Sequence, residues 1–272
     1  IQSIRTFRGH EASVLCICIC PTGDRIFTGG LDKIVFCWAV PPNNCDPYDV
    51  YDAKVLRERL TGHSGAIWAV AFHSSDNRLV SASADGTIKL WEPGNLGEPL
   101  LRTFAPPAPD TIPTCVDFSS TDPQHLLAAY GGQKAMIIDI ESGATVRNFD
   151  FGEDACVDSH ISKIYSHPTM PITVMAGNDW MIRYFDNSNG SQLHASEPCE
   201  DGISDLAIDP KGKFVVSGSH KGKLMIFDLA TKRLLKSISA HCEKFVAPVT
   251  CVTIHPSRSL IASAGYDGII TV

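Results

Sequence analysis

Gly62-His63, then Leu79-Val80-Ser81-Ala82-Ser83-Ala84-Asp85-Gly86-Thr87-Ile88-Lys89-Leu90-Trp91, is the stretch that decides the architecture, because the chain repeats it. Gly9-His10, Thr28-Gly29-Gly30-Leu31-Asp32 and Trp38 restate it with the same 28 residues from His to Trp. His241, Ser263 and Asp267 begin it a third time near the end of the sequence. A fixed tight-turn position then recurs at Asp32, Asp85, Gly132, Asp179, Lys221 and Asp267, with spacings of 53, 47, 47, 42 and 46 residues. Six residues after each turn position comes an apolar slot, filled by Trp38, Trp91, Ile138, Phe185 and Phe227. Asp139, Asp186 and Asp228 follow that slot in the later repeats, and Ala39 and Glu92 in the first two. The repeats fall at approximately 1–41, 42–94, 95–141, 142–188, 189–230 and 231–272.

A period of this length, with Gly-His near its start and an aromatic-Asp slot near its end, is the WD-repeat signature, and it implies one propeller blade per repeat. The fold class expected is therefore all-β: a WD-repeat β-propeller with six four-stranded blades, folding as one domain over 1–272. The second repeat shows how a blade is written. Leu60 ends an outer strand; Ala66–Phe72 is a small, apolar inner strand packed on both faces. Leu79–Ser83 is the next strand, and Ala84-Asp85-Gly86 is a tight turn whose glycine accepts positive φ. Thr87–Trp91 alternates in the manner of a half-exposed edge strand. Further inner strands are expected at Val14–Cys20, Thr114–Phe118, Ser162–Ser166, Ile203–Ile208 and Val249–Ile254, and an outer strand at Ser3–Phe7. Loop insertions fall at Pro41–Pro47, Pro106–Pro109, Gly152–Ser159 and Cys242–Pro248.

The net charge is −7, with acidic clusters at Asp46/Asp49/Asp52, Glu153/Asp154/Asp158 and Glu197/Glu200/Asp201. Loops of that sign repel a phosphate backbone, the sequence displays no compensating basic patch, and no nucleic-acid partner is expected. No apolar run approaches the roughly 18 residues of a membrane span, and nothing resembles a signal sequence. The ten cysteines lack the paired spacing of zinc ligands, so they read as buried free thiols in a reducing cytoplasm. Neither metal nor cofactor is expected. The chain starts at Ile1 and stops at Val272 in mid-strand, as a piece of something longer would.

His63, Ser81 and Asp85 invite reading as a hydrolase triad. Recurrence argues against it, since His10/Thr28/Asp32/Trp38, His63/Ser81/Asp85/Trp91 and His241/Ser263/Asp267 are copies of one set, and catalysis needs only one. No Gly-x-Ser-x-Gly elbow accompanies any of them. They read instead as buried hydrogen-bond nets tying each blade's turns together, each bond contributing about 0.5–1.5 kcal/mol. Met175 and Phe185 interrupt the fourth copy, which keeps His160 and Asp179; Lys221 and Gly132 occupy the turn position in the fifth and third. These blades are expected to lean on apolar packing and to be locally softer. His73, His167 and His255 share one turn position and read as part of the repeat.

Binding would sit where inner strands begin and tight turns end. The inner-strand entrances are Leu15, Trp68, Thr114, Ser162, Ser204 and Thr250; the residues ahead of the turn anchors are Leu31, Ala84, Gly131, Asn178, His220 and Tyr266. Aromatic anchors dominate protein interfaces, so Leu15, Trp68, Asn178, Trp180, His220 and Tyr266 are the candidate protein-binding residues.

Stretches outside the repeat resemble the C-terminal propeller of the striatins. They are Asp46-Pro-Tyr-Asp-Val-Tyr51, Ile112–Phe118, Ser166–Ile172, Phe185-Asp-Asn187, Ser217–His220, Ala240-His241 and Ile261–Gly265, and together they span essentially the whole chain. The sequence departs from that pattern at Lys221 and at Gly177–Trp180. The resemblance implies a non-enzymatic, cytoplasmic scaffold, a regulatory subunit of protein phosphatase 2A in a phosphatase–kinase assembly. It also implies a seventh blade, so that six of seven are present and the ring is incomplete. Coiled-coil and calmodulin contacts belong to a part of that family upstream of this propeller. Two other readings use the same fold: a substrate receptor of a cullin-type ubiquitin ligase, and a propeller hydrolase or lyase. The latter needs acids, bases or metal ligands at the channel mouth, where these entrances offer Leu, Trp, Ser and Thr.

Overall fold

The computed structural model describes residues 7–40, 55–73, 75–95, 97–109, 111–152, 160–199, 201–241, 247–255, 258 and 260–272. The expected outer strand at Ser3–Phe7 lies, but for Phe7, outside these residues, as do the loop Asp46–Tyr51 and the acidic groups of Asp46, Asp49, Asp52, Glu153, Asp154, Asp158 and Glu200. Everything regular among the described residues is β-strand, twenty-three strands in six antiparallel sheets. The fold is the WD-repeat β-propeller class, and the chain gathers into two compact units, Ile1–Val116 and Asp117–Val272.

The first unit holds two blades. The first runs β1 (Val14–Ile19), β2 (Arg25–Gly30), β3 (Val35–Ala39) and β4 (Leu56–Leu60); the second runs β5 (Ile67–His73), β6 (Arg78–Ser83), β7 (Ile88–Trp91) and β8 (Leu100–Phe104). Strand neighbours in space are neighbours in sequence, which short turns make the cheapest way to pair. The blades meet through Phe27, Val35, Ile67, Leu79 and Trp91, all fully buried. Phe27 stacks on Phe72 at 4.9 Å with the Arg25 guanidinium over both rings.

The second unit begins within β9 (Pro113–Phe118), which pairs onward with β10 (His125–Tyr130), β11 (Lys134–Asp139) and β12 (Thr145–Asn148). The fourth blade is β13 (Ile161–Ser166), β14 (Ile172–Gly177), β15 (Ile182–Asp186) and β16 (Gln192–Ala195); the fifth is β17 (Ile203–Ile208), β18 (Phe214–Ser219), β19 (Lys223–Asp228) and β20 (Leu234–Ser239). Among the described residues the sixth shows three strands, β21 (Val249–Ile254), β22 (Ile261–Gly265) and β23 (Ile270–Thr271). Val174, Tyr184, Leu206, Val215 and Phe227 form the seam between the fourth and fifth blades.

The blades do not coincide with the sequence repeats. β4 lies inside the second repeat yet pairs with β3 of the first blade, Val35 opposite Leu60, and β8 likewise closes the second blade from within the third repeat. This overturns the reading of β7 as an edge strand. With β8 hydrogen-bonded outside it, all four residues of β7 are buried. The inner strand β5, expected to be packed on both faces, leaves Trp68 exposed.

Candidate functional site

In the second blade the loop after β4 and the turn between β6 and β7 are joined by a directed chain of hydrogen bonds. Trp91 Nε1 donates to Ser81 Oγ at 2.8 Å, Ser81 Oγ meets His63 Nε2 at 2.7 Å, and His63 Nδ1 meets Asp85 Oδ2 at 2.8 Å. The chain is self-consistent with a neutral imidazole, protonated on Nδ1 and accepting the Ser81 hydroxyl on Nε2. Desolvation lowers the His63 pKa against the opposing pull of Asp85, which favours that neutral form. Burial alone would raise the Asp85 carboxyl, but donation from the Thr87 hydroxyl and amide, Ser64 N–H and His63 holds it well below the usual carboxylate range. A base that stays neutral and an acid that stays ionised, both saturated with internal partners, form a brace with no lone pair left for a substrate.

The first blade builds the same net from His10, Thr28, Asp32 and Trp38 with distances of 2.6 to 2.7 Å. In the sixth, His241 lies 2.9 Å from Ser263 Oγ and 3.0 Å from Asp267, despite four extra residues in its loop. The fourth blade differs from expectation. Asp179 there accepts from Arg183 Nε at 2.9 Å and Gln133 Nε2 at 3.1 Å, while His160 reaches the turn through its backbone N–H, which donates to Asn178 Oδ1. With Met175 in the strand position, an imidazole has no hydroxyl to bridge to, and a guanidinium takes the carboxylate instead. That blade is therefore held by a buried ion pair as well as by apolar packing.

Two acids that the repeat pattern gives no hint of, Asp205 buried and Asp117 half-buried, tie blades of the second unit to one another. Asp205 on β17 accepts Val252 N–H of β21 at 2.7 Å and faces Lys163 Nζ of β13 at 3.2 Å, an ion pair without hydrogen-bond alignment. Asp117 on β9 accepts Phe118 N–H at 2.9 Å and Ser166 N–H of β13 at 3.2 Å. The only sequence signal was a charge inside an otherwise apolar inner strand. His167, the buried one of the three turn histidines, adds another tie: Nδ1 accepts Thr169 and Met170 N–H while Nε2 donates to Gly212 O across the fourth and fifth blades.

Burial pushes the Asp117 carboxyl up to about 6, above its ordinary 3.8, so the native state holds a proton that the unfolded chain has lost. Its contribution is full below pH 4 and is lost as pH rises to 6. Asp117→Asn is expected to gain about 2 kcal/mol relative to the parent over that window, after allowing for partial solvent screening. Urea unfolding at pH 4, 5, 6 and 7 measures it; parallel curves for the two proteins would exclude the shift.

The cysteines are less enclosed than the sequence suggested. Cys20, Cys37 and Cys115 are buried, Cys16, Cys18 and Cys199 are partly exposed, and Cys251 is exposed. No group of three or more His, Cys, Asp or Glu side chains placed to hold a metal occurs among the described residues. No helix there is long and apolar enough to cross a membrane.

The inner-strand entrances share a feature invisible in the sequence. The β-ladder slips by one residue between Val14 and Cys16, Ile67 and Ala69, Ile161 and Lys163, Ile203 and Asp205, and Val249 and Cys251. Leu15, Trp68, Ser162, Ser204 and Thr250 are thus β-bulge residues, unpaired and turned out of the sheet. Ser204 and Thr250 fold their hydroxyls back onto Gly218 O and Ala264 O. Leu15 and Trp68, in the first unit, have no such polar tether and stay exposed, Trp68 at 44%.

In the second unit, Asn178 and His220 sit in tight turns of adjacent blades, both against Gly202. Trp180 is 48% exposed at φ +68°, a left-handed conformation that Gly222 and Gly268 supply in the fifth and sixth blades. Tyr266 projects from its turn at 79% exposure.

A brace repeated three times beneath outward-facing bulges and turns is the anatomy of a recognition module. The family model described as "WD domain, G-beta repeat" matches residues 1–39, 54–92, 190–228 and 232–272, and the chain belongs to that family. Over its whole length it is also 36% identical to striatin-4 of Mus musculus and to striatin-3 of Rattus norvegicus, and 35% identical to striatin of Homo sapiens. The chain covers 36%, 34% and 35% of those proteins, about a third of their length. It is a striatin-like WD-repeat propeller, and a protein-interaction module by that kinship.

Proposed function

We propose that this chain is the docking propeller of a striatin-type scaffold, a non-catalytic regulatory subunit that brings protein phosphatase 2A and kinases into one cytoplasmic assembly. The observation that carries the reading is the similarity to striatins over the entire length of the chain. The outward set of Leu15, Trp68, Asn178, Trp180, His220 and Tyr266 supplies the contact residues, with the three aromatics as anchors. Trp180 is the most telling of them, because a bulky side chain held at positive φ costs roughly 1–2 kcal/mol that packing does not return at half exposure.

The test is to immobilise the folded chain and identify by mass spectrometry what it retains from cytoplasmic lysate. Phosphatase 2A subunits or their kinases are expected; cullin adaptors in their place would move the protein to the ubiquitin-ligase reading. Trp180→Gly is expected to lower retention on the order of tenfold while leaving the melting temperature unchanged or raised, because glycine relieves the backbone. Trp68→Ala is expected to weaken capture with little loss of stability. A melt that falls along with capture would make either tryptophan a packing residue instead.

A further inference from the structure

The fifth blade repeats the second at a constant offset of 136 residues, and it has lost bulk at the heart of the net. Cys199 stands in the place of His63 and Phe227 in that of Trp91, while Ser217 keeps that of Ser81. A thiol is smaller than an imidazole, and a phenyl ring is smaller than an indole and has no N–H to donate. Ser217 Oγ is accordingly buried without a hydrogen-bond partner among the described residues. Between this blade and the fourth the structure opens a cavity of about 740 Å³, walled by β16 on one side and by β19 and β20 on the other.

The cavity runs the length of β19, roughly 20 Å for its six residues. Its two ends differ in charge. Where β19 begins, Lys221 and Lys223 have partners of their own, and the carboxylates Glu197 and Asp201 stand close by. Both acids lie in the connection from β16 to β17, which is tied to that end by Cys199 N–H donating to Trp180 O and His220 N–H to Gly202 O. Where β19 ends, the lining residues are Lys232 and Arg233, consecutive in the turn to β20. Lys232 Nζ stands 5.7 Å over the Tyr184 ring, and neither cation forms an ion pair among the described residues. Asp228, the carboxylate of that turn, accepts Ala230 N–H instead. Across the cavity, desolvation and the Lys232 charge hold His194 below the ordinary imidazole pKa, so the positive field reaches the facing wall uncancelled. Between the two ends the surface is apolar. Met225 and Phe227 form its floor, and Leu234, opposite Phe227 on β20, is 51% exposed.

We propose that this groove receives an extended segment of a partner protein, an Asp or Glu side chain of the segment meeting Lys232 and Arg233 and a neighbouring aliphatic side chain lying against Leu234, Met225 and Phe227. An ammonium and a guanidinium on consecutive residues give a carboxylate one point charge and one planar fork of donors. Phe227 faces Leu234, next to Arg233, and Met225 lies two residues further along, so the aliphatic residue falls within about three positions of the acid. Nucleic acid suits the groove less well, because two cations neutralise few phosphates, the middle is apolar and the chain as a whole carries −7. The proposal rests on the docking reading above and names the chemistry of one docked segment.

The test uses the intact chain with degenerate nonapeptide libraries that carry glutamate at the centre, the same libraries with glutamine there, and an oligo-dT strand as comparator. Retention of the glutamate library on the order of tenfold above the glutamine library is expected, weakening as salt is added. Leu, Ile or Val should be selected within about three positions of the glutamate. Arg233→Glu is expected to abolish the preference for glutamate, and Leu234→Ser to remove the aliphatic selection while the preference for glutamate stays. Both residues are exposed, so both variants are expected to melt like the parent. Equal retention of the two libraries, a glutamate preference indifferent to Arg233→Glu, or preferential capture of oligo-dT would each overturn the proposal. Capture of phosphatase or kinase subunits from lysate without selection of the glutamate library would leave the scaffold reading intact and remove this groove alone.

Discussion

Asp205→Ala is expected to lower the unfolding free energy by about 3 kcal/mol. The carboxylate, 3% exposed, touches three blades at once, standing on the fifth and reaching the sixth at Val252 N–H and the fourth at Lys163 Nζ. Leaving the buried Val252 amide without an acceptor costs about 1–3 kcal/mol. Removing the counter-charge of a buried ammonium costs about 3–5, but Lys163 keeps a third of its side chain in solvent and recovers part of that. Asp205→Asn retains an acceptor for the amide and is expected to lose about half as much. A second readout separates this from general loosening. Cys251 is exposed as a residue, but local desolvation of its sulfur and the Asp205 charge together push the thiol up to about 11, so in Asp205→Asn it should alkylate at lower pH. Urea titration and the pH profile of Cys251 alkylation measure the two; a loss under 1 kcal/mol in Asp205→Ala would mean the blades are held by apolar contact alone.

Asp85→Ala is expected to cost about 2–3 kcal/mol through the partners it strands. It removes the acceptor of His63 Nδ1, Thr87 N–H and hydroxyl, and Ser64 N–H, of which the solvent-facing Ser64 amide is cheapest to leave to water. Asp32→Ala should cost less, about 1 kcal/mol, because Asp32 gathers His10 and a longer 3.3 Å contact from Glu11 N–H. The pH dependence has a defined sign. The Asp85 pKa is depressed in the fold, so its contribution is present above about pH 4 and is lost as pH falls further. The stability gap between parent and Asp85→Ala should hold steady from pH 7 to 5 and narrow below 4. A gap that widens in acid would contradict the geometry of this net.

How far the sequence could be read depended on whether a feature recurs. His, Ser or Thr, Asp and Trp at fixed intervals marked residues that the fold brings within 3 Å of one another, because a net spanning two turns requires that spacing in every copy. Asp205 and Asp117 occur once each, so periodicity is blind to them, although an acid in an apolar inner strand has to find donors somewhere. The bulges at Leu15, Trp68, Ser162, Ser204 and Thr250 left no trace in residue type, since any side chain can stand at an unpaired position. Asp179 keeps its place in the pattern, but its partners Arg183 and Gln133 come from a strand and from the preceding blade's turn, which periodicity does not connect.

The offset between repeat and blade, with β4 and β8 each closing the preceding sheet, bears on how such a chain can grow or shrink. Suppose a recombination event copies one whole repeat. The copied segment brings an outer strand for the blade before it and three strands that wait for the next repeat's outer strand. Every existing sheet therefore remains four-stranded wherever the junction falls. Loss of one repeat heals in the same way, by handing the preceding blade the next outer strand in line. A lineage can therefore change its blade number without any intermediate that exposes a raw sheet edge, and substitution can then specialise one blade, as Lys221 marks the fifth, while the first, second and sixth keep the brace.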